Sequence, residues 1–258
     1  MSNKQIAIIT GANSGIGKEF TRIVSGYKDI DEIWAIARDK NRLNEIKHSF
    51  GDKIRIFSMD LTDRNNLSVL KDMLKSERPN VKYLINCAGF ATFGDYFTVP
   101  EERNFGMIDL NINALVALCT VTINYMSAGA RIINMASQAA FQPVPYQNVY
   151  SATKAFVRNY TRALNVELKT KGISATAVCP GWMNTRLIEH AKIGADKATN
   201  KFDGMVEPYP VAVKAMKDAN KNKDMSVYSA FIKFAHILSK LLPQRLLMKI
   251  WVLRQNID

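Results

Sequence analysis

Short apolar runs, each closed by small or polar residues, alternate along this chain with stretches in which apolar positions recur every three or four residues. The runs are Lys4–Thr10, Glu32–Ala37, Lys53–Met59, Val81–Gly89, Arg131–Ala136, Ile173–Cys179 and, more weakly, Asp224–Tyr228. Their length and composition are those of strands. Helical spacing follows the first run at Phe20, Ile23 and Val24, and follows the third through Leu74, with Thr62 or Asp63 as its cap. A long helix opens at Pro100 and continues through Met107, Ile108, Leu115, Leu118 and Val121 to Met126. Another carries Phe156, Tyr160, Leu164 and Leu168 until Gly172 ends it. This alternation predicts an α/β fold: a doubly wound parallel sheet of about seven strands flanked by helices, with ligands at the carboxyl ends of the strands.

Two further helices, at about 229–255, form a C-terminal extension split by Pro243. Phe231, Phe234, Leu238 and Leu241 make one apolar stripe, and Leu246, Leu247, Ile250 and Trp251 another. Lys233, Lys240, Arg245, Lys249 and Arg254 punctuate them. Such helices can lie on an anionic membrane, but packing on their own domain or on a partner subunit is the preferred reading.

Length and composition narrow the class. With 258 residues and 47% hydrophobic content, residues 1–258 are expected to form one domain around one sizeable core. Cys87, Cys119 and Cys179 lie far apart in apolar segments, which fits neither a disulfide framework nor a metal site. Buried thiols, no signal-peptide pattern and no uninterrupted apolar run of membrane-spanning length lead to an expected cytoplasmic setting. The net charge is +12, and 13 basic against 7 acidic residues fall between Arg186 and Asp258. The cations are spread out and match no nucleic-acid motif, so no nucleic-acid partner is expected.

The chemistry concentrates between Ser137 and Lys154. Tyr150 and Lys154 are four apart at the start of one helix and share a face, and Ser137 leaves the end of a strand toward the same place. A tyrosine titrates near 10, far from the working pH, and a fixed cation beside it favours the phenolate. At the other end of the chain the first strand runs into Gly11-Ala-Asn13-Ser14-Gly15-Ile16-Gly17 and then a helix. Strand, glycine turn and helix form a dinucleotide-binding context: backbone N–H groups approach a pyrophosphate at the positive end of the helix dipole. At the end of the second strand, Ala37 stands where an acidic residue would accept ribose hydroxyls, and Arg38 follows. A guanidinium suits a 2′-phosphate, so NADP(H) is favoured over NAD(H). Asp60 can bond an adenine amino group, with Leu61 beside it. Asn86-Cys-Ala88-Gly89 ends the fourth strand in small residues, which a close ligand requires. Asn111 is polar amid apolar neighbours in the long helix and must be hydrogen-bonded if buried.

Taken together and in order, Thr10 to Gly17, Asp60, Asn86 to Gly89, Asn111, Ser137, Tyr150-x-x-x-Lys154, Pro180-Gly181 and Thr185 resemble the short-chain dehydrogenase/reductase family across nearly the whole chain. The resemblance implies a Rossmann fold and an oxidoreductase that moves hydride between nicotinamide and a ketone or secondary alcohol. Tyr150 would be the proton donor or acceptor and Ser137 would hold the substrate oxygen. Lys154 would bond the nicotinamide ribose and lower the tyrosine pKa, and Asn111 would anchor a relaying water. Asn86, Ala88, Gly89, Pro180 and Gly181 would line the cofactor, with Thr185 near the carboxamide. Cys87 departs from the family, which more often has a second asparagine there.

Residues 182–206, with Met183, Leu187, Ile188, Ile193 and Met205 as anchors, are expected to form a substrate lid. Phe90, Phe93, Phe141, Val144 and Trp182 are candidate pocket walls, which points to a hydrophobic carbonyl substrate. A homo-dimer or homo-tetramer is expected. The rival readings are a cofactor-binding sensor or scaffold with little turnover, and a membrane-surface reductase of lipid substrates.

Overall fold

The computed structural model describes residues 4–192 and 199–257. Ile193 of the expected lid lies outside them. Strands β1 (Gln5–Thr10), β2 (Glu32–Ala37), β3 (Ile54–Ser58), β4 (Asn80–Asn86), β5 (Arg131–Met135), β6 (Ser174–Val178) and β7 (Met225–Ser226) form one parallel sheet in the order β3-β2-β1-β4-β5-β6-β7. The expected Rossmann-like, doubly wound sheet is what the chain forms. Each strand falls within the span expected for it or within a residue of it.

Helices α1 (Gly15–Ser25), α2 (Lys40–Phe50) and α8 (Pro208–Asn220) cover one face, where Phe20, Val24, Leu43, Ile46 and Val211 meet Ala7, Ile9, Ile33 and Ile133. On the other face lie α3 (Arg64–Glu77), α4 (Glu101–Ile108), α5 (Leu115–Thr122) and α6 (Asn148–Glu167). There Leu70, Leu74, Leu115, Leu118 and Val157 meet Ile6, Ile8, Trp34 and Ile132. Successive residues of β1 thus feed opposite layers, as the two-residue period of a strand dictates. The chain leaves β1 toward β3 and returns to β4 on the other side of β1. That reversal opens a crevice at the carboxyl ends of β1 and β4.

The helix expected from Pro100 is real but interrupted. Residues Asp109–Ala114 form a π-helical stretch between α4 and α5, the kind of local widening that re-aims side chains. By length and composition alone, Glu101–Tyr125 could cross a membrane, which qualifies the expectation that no segment has that reach. Here its Met107, Ala114, Leu115, Leu118 and Cys119 are buried against the rest of the fold. Asp63, not Thr62, caps α3 by accepting from Asn65 N–H.

After the short α7 (Arg186–Ala191), the chain ends in α9 (Ala230–Leu241) and α10 (Gln244–Gln255). Their own domain covers these two helices only in part. Ile232 and Leu247 are buried, but Phe231, Phe234, Ile237, Leu241, Leu246, Ile250 and Leu253 are exposed. Both helices are apolar around most of their circumference, so covering one face leaves another uncovered.

Candidate active site

Strand β5 ends at Met135, and two residues later Ser137 starts a 3₁₀ turn, its Oγ accepting from Ala139 N–H at 3.1 Å. Gln138 N–H donates to the Pro180 carbonyl at 2.8 Å, tying that turn to the end of β6. Helix α6 then presents Tyr150 and Lys154 one turn apart, and Ser137, Tyr150 and Lys154 are all buried. The Ser137 hydroxyl is near enough to the Tyr150 phenol to act on its titration. Lys154 Nζ donates to the Met135 carbonyl at 2.9 Å and stands 5.7 Å from the centre of the Tyr150 ring. The ends of two strands, β5 and β6, and one helix are therefore needed to bring three side chains to one point.

Electrostatics at that point differ from expectation. Burial pushes the Tyr150 phenol above its ordinary value, and the Ser137 hydroxyl pulls the other way. Burial also brings Lys154 down to about 8, against the opposing influence of the Cys87 and Cys179 thiols. The expectation that Lys154 lowers the phenol is thus corrected: desolvation, the largest effect on both groups, favours their neutral forms. A phenol in that state stays protonated at neutral pH.

Asn111 lies in the π-helical stretch and is buried. Its Nδ2 donates to the Phe90 carbonyl at 3.0 Å and to Thr153 Oγ1 at 3.1 Å, and its Oδ1 accepts from Phe90 N–H at 3.1 Å. Thr153 Oγ1 in turn donates to the Tyr150 carbonyl. The amide therefore braces the start of α6 against the end of β4. Its remaining capacity for a relaying water is one Oδ1 lone pair and its main chain.

The glycine turn fits a dinucleotide. Gly11 and Gly15 have φ of +62° and +50°, which favour glycine. A Cβ on Gly11 would meet Ala88 N at 3.0 Å, and one on Gly15 would meet Thr185 Cγ2 at 3.2 Å. At Gly89, one would come within 2.8 Å of Asn111 Oδ1 and 3.5 Å of Lys154 Nζ. The backbone of the turn is thus packed bare against the end of β4 and beneath Thr185. Ser14, at the N-cap of the 11-residue α1, makes no side-chain cap bond, and the first turn of that helix carries no acidic residue. Its leading N–H groups and positive dipole end suit a pyrophosphate. Asn13 and Ser14 are half-buried on this turn, and Ile16 is buried.

Arg38 projects from the end of β2 with 78% of its side chain exposed, its Nη1 4.0 Å from Asp60 Oδ2. Asp39 caps α2 by accepting from Arg42 N–H and lies 3.3 Å from Arg42 Nε. Asp60 Oδ1 accepts from Thr62 N–H and Oγ1 at 2.9 and 2.7 Å. Partial burial would raise its carboxyl, but those bonds and Arg38 outweigh it and hold it below the usual range. Leu61 is buried in the core, so its side chain belongs to packing.

Asn86 is the cofactor candidate that the structure places elsewhere. Its Nδ2 donates to Asn134 Oδ1 at 2.8 Å across β4 and β5, in the interior. Its Oδ1 is buried with no hydrogen-bond partner among the described residues. Cys87 faces the cleft beside Lys154, and burial pushes its thiol up.

A cavity of about 220 Å³ opens over Ser137, Tyr150 and Lys154 and reaches Gly89, Pro180, Gly181 and Thr185. Phe141, Val144 and Trp182 line it, as expected. Phe93 does not, because it stands behind the site, edge-on to both Tyr150 and Trp182. Phe90 is turned onto Gly106 and lies 5.0 Å under the Arg103 guanidinium. The outer wall was not foreseen: Phe231 and Ala235 of α9 and Trp251, Arg254 and Gln255 of α10 complete it. Trp251 Nε1 donates to the Pro145 carbonyl at 3.1 Å, and Gln255 Oε1 accepts from Asn200 and Lys201 N–H at 3.0 and 2.9 Å. Gln147 Nε2 holds Thr199 Oγ1 at 2.7 Å. A tryptophan and a glutamine within an otherwise apolar stripe were the available signal, since both need buried partners.

Comparison with known proteins agrees with this geometry. A family model described as short chain dehydrogenase matches residues 5–195. An uncharacterized oxidoreductase of Staphylococcus epidermidis is 30% identical over 211 residues, covering 79% of this chain and 90% of that protein. An NADP-dependent 3-hydroxy acid dehydrogenase of Escherichia coli is 29% identical over 218 residues, covering 80% and 84%. Among solved structures, a short-chain dehydrogenase from Sphingobium yanoikuyae in complex with NADPH superposes with a TM-score of 0.76 at 26% identity, covering 92% and 94%.

Proposed function

The chain belongs to the short-chain dehydrogenase family and is a nicotinamide-dependent oxidoreductase of alcohol and ketone groups; from that premise we propose that it uses NADP(H) and reduces a ketone carried on an apolar skeleton. The observation that carries the reading is the buried Ser137–Tyr150 hydroxyl pair at the floor of an aromatic-walled cavity, one helical turn from Lys154.

A nicotinamide bound here would supply the hydride for the carbonyl carbon, or accept one from the alcohol. Everything else is the work of this chain. Ser137 Oγ donates to the substrate oxygen and holds it beside Tyr150. Tyr150, kept protonated by burial, gives its proton to that oxygen as negative charge grows on it. Lys154, anchored on Met135, places a cation where the ribose hydroxyls would sit. Asn111 fixes the start of α6 through Thr153. Leading N–H groups of α1 would hold the pyrophosphate, and Arg38 with Asp60 would meet the adenosine end. Trp182, Val144, Phe141 and Trp251 exclude water and supply the apolar contact.

Exposed Arg38, with no acidic residue in front of it at the end of β2, supports the preference for NADP(H), as do the NADP-dependent relative and the NADPH-bound neighbour. The same reading includes a homo-dimer or homo-tetramer, supported by exposed Phe105, Phe156 and Val166 on α4 and α6. It also includes a cytoplasmic setting, supported by three free thiols.

The test is NADPH oxidation over a panel of aliphatic, acyl and steroidal ketones, with Tyr150→Phe as control. The variant should keep its fold and lose about 10²- to 10⁴-fold in rate. Equal rates for variant and parent would overturn the mechanism.

A further inference from the structure

Helices α9 and α10 leave a long apolar surface uncovered. On α9 the exposed positions are Phe231, Phe234, Ile237 and Leu241, at 54%, 59%, 54% and 73%. Their i, i+3, i+6 and i+10 spacing makes one stripe, and Lys233 and Lys240 flank it. On α10, Leu246, Ile250 and Leu253 repeat the pattern, flanked by Arg245, Lys249 and Arg254. The Arg254 guanidinium lies 5.8 Å from the centre of the Phe231 ring, which brings the start of α9 beside the end of α10.

Charge decides what such a surface can meet. From Ala230 to Asn256 there are five lysines and arginines and not one aspartate or glutamate. Among the described residues, Arg254 alone of these has an acidic partner, Asp203 at 2.9 Å. A second copy applied through this face would bring like charges together, since a two-fold contact opposes a surface to itself. An anionic bilayer answers both features. Its headgroups attract the lysines and arginines, and its acyl boundary accepts the aromatic and aliphatic stripe. Phe231 and Arg254 also line the catalytic cavity, so the exposed surface is continuous with the cavity rim.

We infer that the α9–α10 pair docks the enzyme on an anionic lipid surface, with the cavity rim at the interface. The inference stands on the surface alone and does not depend on the proposed substrate class.

The experiment uses the full chain with phosphatidylcholine vesicles, with and without phosphatidylserine, in a sedimentation assay. Binding is expected only with phosphatidylserine present, and should weaken as salt is raised. Phe234→Glu with Ile237→Glu, and separately Lys240→Glu with Lys249→Glu, should each lower partitioning by about tenfold or more. Phe234→Ser serves as a milder variant should the glutamates prevent folding. None of these residues lines the cavity, so NADPH turnover on a water-soluble ketone should be unchanged, which separates this inference from the catalytic reading. Failure of the parent to bind, or equal binding by the variants, would overturn it. So would an oligomer in solution that Phe234→Ser dissociates, which would give the face to a second copy.

Discussion

Lys154 Nζ donates to the carbonyl of Met135, the last residue of β5, at 2.9 Å. That bond hangs a buried ammonium from the strand that also delivers Ser137, and it fixes the height of Lys154 relative to Tyr150. Burial without a carboxylate partner is costly, which is why Lys154 titrates at about 8.

This cost sets the first prediction. An unfolded lysine titrates at 10.5, so between about 8 and 10.5 the unfolded chain binds one more proton than the folded one at this position. Stability must then rise with pH through that window as far as Lys154 is concerned, while below it the full penalty of about 3 kcal/mol applies. Cys87, Cys119 and Cys179, all pushed up by burial, pull the total the other way above about pH 9. The parent and Lys154→Met share those thiols, so urea unfolding of both isolates the lysine. The parent should gain on the variant steadily from pH 8 to 10.5. A constant difference would mean that Lys154 is solvated.

Much of this site was legible because its chemistry sits at the ends of elements that periodicity reveals. Gly11 to Gly17, Ser137, Tyr150 and Lys154 each close a strand or open a helix, and the sheet order does the rest. Asn86 was misplaced because a residue at a strand end can face the cleft or the interior, and a one-residue shift decides which. The pairing that settles it, with Asn134 on the neighbouring strand, is 48 residues away. Phe90 and Phe93 failed for the same reason: aromaticity marks burial, not which cavity is lined. The roof formed by α10 was out of reach because the direction in which a C-terminal helix returns depends on the turn at Pro243.

The second prediction concerns Arg38. Its guanidinium is exposed and its nearest acid, Asp60, is 4.0 Å away and also held by Thr62. Arg38→Asp puts a negative charge where a 2′-phosphate would lie, and removes a charge-assisted contact of about 1.5–3 kcal/mol. KM for NADPH should rise about ten- to hundredfold, and KM for NADH should fall or stay level. Steady-state kinetics with both cofactors check it, and parallel changes for the two would move the phosphate contact elsewhere.

Gln255 carries the third. Its Oε1 accepts two main-chain N–H groups, from Asn200 and Lys201, and its Nε2 donates to the Lys201 carbonyl at 3.2 Å. Gln255→Leu keeps the bulk and strands all three backbone groups, a loss of about 1–3 kcal/mol for the local structure. The effect should be regional: faster hydrogen exchange at 199–203 and a higher KM for ketone, with kcat changed little. Exchange that rises across the sheet instead would make Gln255 a global stabiliser.

Gly17 separates packing from binding. The Cβ of an alanine there would fall inside the van der Waals shell of the Gly11 carbonyl, a backbone atom that cannot rotate away. Helix α1 would have to lift from the end of β1, and overpacking of this kind costs about 1–3 kcal/mol. Gly26, the C-cap of the same helix, has φ of −78° and its Cβ would meet Ile23 O at an ordinary 3.5 Å. Gly26→Ala should therefore leave both melting temperature and KM for NADPH close to the parent values. Gly17→Ala should lower the first and raise the second together, because a displaced α1 carries its leading N–H groups away from where a pyrophosphate would meet them. Retained nucleotide affinity in a destabilised Gly17→Ala would show that the turn is structural and that the dinucleotide is held by other groups.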